Sequence, residues 1–111
     1  MMPKRKTNKL KWMGDLLKLG ETIDPVTDRV VMVYPLERKI RYNNIGVTAT
    51  DKYTTKDMNE IVKKIEVRID RDIENNQKNY RVKVGGRIYS IERIYVKEED
   101  RLMEVSLSYA N

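Results

Sequence analysis

The chain reads as all-β: a small antiparallel β-barrel or sandwich of about six or seven strands, with one long polar loop that has room for a short helix. Three observations predict this. Short runs with apolar residues at every second position recur between polar turns, most cleanly from Ile61 to Tyr109. Val84 and Arg87 are separated only by Gly85-Gly86, and a two-residue hairpin loop needs the positive φ that glycine adopts without steric cost. Tyr89 and Ile91 share one parity while Ile94 and Val96 take the other, so one extra residue, a β-bulge, must lie between Ile91 and Ile94. Bulges bend strands around barrel corners, and closure removes the unpaired edges of an open sheet.

The elements follow in order. Residues 1–11 form a polar basic arm with Pro3 and no periodicity, expected to be flexible, and residues 12–111 form a single β-barrel domain. Trp12, Met13, Leu16, Leu17 and Leu19 are the first apolar cluster, a strand or a helical turn by length. The lone Trp12 reads as core or interface packing rather than a base-stacking platform, which recruits several aromatics. Asp24-Pro25-Val26-Thr27-Asp28 is a turn, with proline presetting φ and the aspartates placed to cap it. Val30-Val31-Met32-Val33-Tyr34 is apolar on both parities. It is therefore expected to bury both faces, or to share one with the core and one with a neighbouring subunit. Val31, Val33 and Tyr34 are its candidate inter-subunit residues. Pro35 interrupts the ladder, and Leu36, Ile40 and Tyr42 then alternate with charged residues as a half-exposed strand.

Asn43 to Asn59 is a polar excursion of about 17 residues, a length at which loops in small domains tend to be functional. Met58, Ile61, Val62 and Ile65 fit a helix, whereas Ile61, Ile65, Val67 and Ile69 fit a strand; a strand from about Ile61 is favoured. Glu74 to Asn79 reads as a wide polar turn and Lys97 to Arg101 as a charged turn, and Met103, Val105, Leu107 and Tyr109 alternate with Glu104, Ser106 and Ser108 in the last strand.

Composition narrows the chemistry. The 111 residues include no cysteine and no histidine, which removes disulfides, cysteine metal sites and every catalytic device built on imidazole. The carboxylates Asp70, Asp72, Glu98, Glu99 and Asp100 fall in turns or at a strand end, a solvated setting rather than the buried one that a catalytic carboxylate uses. Gly85-Gly86 lacks the spacing of a phosphate cradle. No enzyme, cofactor or metal is expected. No apolar run reaches the roughly 18 residues of a membrane span, so a soluble, non-secreted protein is expected. Of the net charge of +6, Lys4, Arg5, Lys6, Lys9 and Lys11 supply +5, which leaves a nearly neutral body. That body is a poor grip for a phosphate backbone, although an OB-like nucleic-acid-binding module with a basic arm stays open as an alternative.

The run Ile65-Glu66-Val67-Arg68-Ile69, a polar turn, the hairpin Tyr80 to Ile91 and a final alternating strand resemble the head-tail joining proteins of long-tailed bacteriophages, also called head-closure or stopper proteins. The likeness is strongest over Ile61 to Tyr109 and looser over Leu17 to Tyr42. Asp70 departs from the aromatic or basic residues of that family after the Val67-Arg68 strand. The resemblance implies a homo-oligomeric ring in the virion neck, assembled in the host cytoplasm, between portal or adaptor proteins and tail proteins. The ring would close the channel on packaged DNA and involve no membrane. It further implies a channel-facing loop, here carrying Asn43, Asn44, Thr50, Lys52 and Lys56. A small regulatory adaptor of a phage or mobile element is a further alternative.

Overall fold

Residues 10–47 and 60–110 are described by the computed structural model. In chain order they form β1 (Trp12–Lys18), β2 (Gly20–Ile23), β3 (Val30–Val33), β4 (Leu36–Ile45), β5 (Lys63–Arg68), α1 (Arg71–Asn75), β6 (Tyr80–Val84), β7 (Arg87–Lys97) and β8 (Leu102–Tyr109). Six of these strands close a barrel in the order β1-β4-β5-β8-β7-β6, and every neighbouring pair is antiparallel. The closing seam pairs Leu16 of β1 with Val82 of β6. Strands β2 and β3 form a separate two-stranded sheet.

The alternation places Leu16, Ile40, Tyr42, Ile65, Val67, Tyr80, Val82, Ile91, Met103, Val105 and Leu107 in one buried cluster inside the barrel. Gly14 belongs to this face of β1. A Cβ there would stand 3.3 Å from both the Lys83 carbonyl oxygen and Val84 Cγ2, and 3.4 Å from the Tyr42 ring. Glycine thus makes the space that the tyrosine fills. The parity change in β7 is a bulge at Glu92: Ile91 lies opposite Leu107, yet Arg93 lies opposite Ser106. The skipped residue returns Ile94 and Val96 to the inside, where they pack against the core. A second shift, after Leu16 opposite Arg38, places Leu17 opposite Leu36, and Leu16 and Leu17 are both buried although consecutive.

Gly85 and Gly86 have φ of 59° and 79°, the left-handed geometry of a two-residue type I′ loop. Both Cβ positions point into open space, so the requirement for glycine is conformational rather than steric. Gly86→Val is expected to lower stability by about 1–2 kcal/mol, while Gly85→Asn stays near neutral because asparagine tolerates this region. Denaturant midpoints of the two variants check this.

Three expectations are corrected. The polar turn after β5 is a helix: the Asp70 side chain accepts hydrogen bonds from the backbone N–H groups of Asp72 (3.0 Å) and Ile73 (3.2 Å), which caps α1, and Ile73 is buried in the core. A 3₁₀ turn over Gln77–Asn79 then leads into β6. Asp70 therefore has a structural role as the cap of α1. Val30 to Tyr34 lies outside the barrel, with Val30, Val31 and Met32 exposed and Val33 and Tyr34 half-buried, so the expected burial of both faces in the chain's own core is not found. Of the two readings of Trp12, core or interface packing, the core one is removed, because the residue stays 56% exposed in β1. Leu10, which the sequence places in the basic arm, is buried.

Candidate assembly interface

The β2–β3 hairpin leaves the barrel between β1 and β4. Its base is tied by Lys18 N–H donating to the Pro35 carbonyl (3.1 Å) and Leu19 N–H donating to that of Asn79 (2.6 Å). Within the hairpin Gly20, Glu21, Thr22 and Ile23 face Val33, Met32, Val31 and Val30. One face therefore carries Ile23, Val30 and Met32 with Glu21, and the other Val31 and Val33 with Thr22. Ile23, Val30 and Met32 are 61%, 64% and 55% exposed. A two-stranded ribbon with uncovered apolar faces is marginal in water by itself, and such a patch marks an interaction surface.

The loop joining the two strands is well made. Asp24 N–H donates to the Arg29 carbonyl (2.9 Å), Asp28 N–H to the Asp24 carbonyl (2.8 Å), and Val26 N–H to Asp24 Oδ1 (2.9 Å). The Val26 hydrogen bond is the main cause holding the Asp24 carboxyl below its ordinary pKa. Asp28 adopts φ of 58°, a left-handed conformation that aspartate tolerates. Val26 is left at the tip, 89% exposed between the two aspartates.

Among the proposed inter-subunit residues, Val31 is exposed, Val33 is half-buried, and Tyr34 sits at the hairpin root with the Arg81 guanidinium 4.0 Å from its ring centroid. The outward residues Ile23, Val30 and Met32, which sequence reasoning did not single out, are the more available set. Their signal was present in the two-sided run, but parity does not say which side stays uncovered.

The proposed channel loop is only partly described. Asn43 and Asn44 are strand residues, opposite Glu66 and Ile65, so β4 continues to Ile45 and any excursion starts after it. Thr50, Lys52 and Lys56 lie outside the described residues.

Two charged features come from residues distant in sequence. On the outer surface of β5 and β8, Glu66 stands directly opposite Glu104. Lys97 pairs with both carboxylates, Lys64 lies 3.1 Å from Glu104, and Glu66 is buried. Burial acts against the Lys97 charge, but the hydrogen bonds and charges of Glu66 and Glu104 together outweigh it and raise its pKa. A lysine raised in this way stabilises the fold fully below its unfolded pKa and loses that contribution as pH rises through the folded value, at the alkaline end. Lys97→Met is expected to cost about 2 kcal/mol, because it leaves Glu66 buried without its closest cation. Urea titrations at neutral and strongly alkaline pH check both the loss and its narrowing as pH rises.

The second feature is a cavity of about 520 Å³ where β4 and β5 part. Their ladder covers only Asn43 to Ile45, and beyond it Arg38, Arg41, Arg68 and Arg101 surround the opening. Among the described residues Asp70 is the one carboxylate on the lining, and it pairs with Arg38. Ile40, Val67 and Ile73 form an apolar floor.

Among the described residues no group of acidic side chains is arranged to hold a metal ion, and no helix is long and apolar enough to cross a membrane. No protein-family model matches the chain, and no curated protein matches it in sequence. Among solved structures, the fold is similar to that of a chain in the virion of a native gene transfer agent (GTA) particle. The TM-score is 0.58 at 12% sequence identity, and the match covers 96% of this chain and 94% of that one. The likeness is therefore one of fold, and it runs over nearly the full length of both chains.

Proposed function

We propose that this chain is a structural component of a phage-like virion: a ring-forming connector between the portal or its adaptor and the tail, which helps retain packaged DNA and offers the tail a docking surface. The observation that carries this reading is the β2–β3 hairpin. It projects from a closed barrel with apolar side chains on both faces, a form suited to a neighbouring subunit rather than to its own core. The fold likeness to a chain of the gene transfer agent virion supports the same class of role. So does the absence of histidine and cysteine, which leaves few catalytic options. Closure of the channel would fall to the segment after β4, where Lys52 and Lys56 are offset by Asp51 and Asp57, a charge balance compatible with DNA that must later leave.

The test is particle assembly without the gene. The expected result is heads that fill and then lose DNA, with no attached tails, and a ring of this protein in micrographs of the intact neck. Full, tail-bearing particles from the deletion would sink the reading.

A further inference from the structure

We propose that the hairpin tip of one copy seats in the arginine-rimmed cavity of the next, Val26 meeting the apolar floor while Asp24 and Asp28 face Arg41, Arg68 and Arg101. The inference rests on the ring reading and supplies its contact. Three observations carry it. The tip presents one almost fully exposed valine between two carboxylates, and residues 20–34 hold Glu21, Asp24 and Asp28 against Arg29 alone, a formal charge of −2. Among the described residues the cavity lining sets four guanidiniums against one carboxylate, a formal charge of +3, above a floor of core isoleucine and valine. Carboxylate and guanidinium pair with directional, charge-assisted hydrogen bonds, and the apolar floor gives Val26 a place to leave water.

Tip and cavity are different surfaces of the same chain. Contact between them is heterologous, so each copy gives a tip and receives one, and such contacts close into rings when the rotation allows. A nucleic-acid phosphate would satisfy the arginines too, but it gains nothing from the apolar floor, which favours the protein segment.

The chain has no cysteine, so single-cysteine variants report position cleanly. Val26→Cys is mixed with Arg68→Cys under mild oxidation, and, as the control, with Lys83→Cys, an exposed residue on the outer face of β6. The 26–68 disulfide is expected to form about tenfold faster than the 26–83 disulfide at low salt, and to slow as salt screens the charges. Adding Arg41→Glu to the Arg68→Cys chain is expected to reduce the rate to that of the control, with an unchanged melting temperature as the check on folding. Equal rates for the two pairs overturn the proposal. So does retention of a short DNA duplex by the wild-type chain that Arg41→Glu abolishes while the 26–68 bond shows no preference; the cavity would then be a phosphate site. Micrographs of particles judge the ring separately. A ring with no 26–68 preference leaves the connector and removes this contact, whereas particles without a ring remove the connector reading itself.

Discussion

A chain in which Glu21–Met32 is replaced by Asn-Gly is expected to fold, to melt within about 2 °C of the parent, and to fail to assemble. The replacement respects the ladder. Gly20 and Val33 are directly opposite, and an Asn-Gly loop suits the twist of antiparallel strands at that spacing. The barrel loses little, because β2 and β3 form their own sheet outside the closed one and the ties at Pro35 and Asn79 remain. Assembly loses much. Ile23, Val26, Val30 and Met32 go together, and burying even one such side chain is worth about 1.5–3 kcal/mol. A loss of at least two of them corresponds to a weakening of about a hundredfold or more. Circular dichroism melting and incorporation into particles measure the two halves of the result. A truncated chain that still enters particles at the parent level would show that the hairpin is not an assembly arm. One that unfolds would show that the hairpin supports the barrel.

Leu107→Ala is expected to lower stability by about 3–4 kcal/mol, with a fall in melting temperature of about 15 °C. Leu107 is completely buried, and it lies in β8, the strand that joins β5 to β7. It faces Lys63 on one side and Ile91 on the other, just before the β7 bulge, so the bent backbone has little freedom to collapse into the space left. Tyr95→Ala on β7, where the residue is 64% exposed, is the contrast and should shift stability by less than about 0.5 kcal/mol. Similar effects from the two substitutions in urea would contradict the packing described for β8.

Much of the barrel was legible because its rules are local. A strand exposes alternate residues to opposite faces, so Tyr80, Val82 and Val84 declare their common side within five residues. Glycine pairs mark loops because only a left-handed backbone closes them. The bulge was legible for the same reason: a change of parity within one strand requires one extra residue, and Glu92 supplies it. Helix α1 was missed because five residues with one buried side chain carry no periodicity; the aspartate cap at Asp70, followed by Asp72 and Glu74, was the available signal.

The candidate interface was less legible, and the reason is different. Val30 to Tyr34 has the composition of a strand buried on both faces, and that composition is the same whether the covering atoms belong to the chain's own core or to another molecule. Only the placement of β2 and β3 outside the barrel separates the two. Likewise Arg38, Arg41, Arg68 and Arg101 look like scattered solvated cations until the parting of β4 and β5 brings them around one opening. By itself the sequence determined the all-β class, the main turns, the bulge and most of the barrel interior, because backbone periodicity and left-handed turn geometry are set by neighbours along the chain. The tertiary structure alone decided which strands close the barrel, which hairpin stands clear of it, and where opposite charges collect. Those depend on contacts between residues far apart in sequence, whose partners no local pattern names.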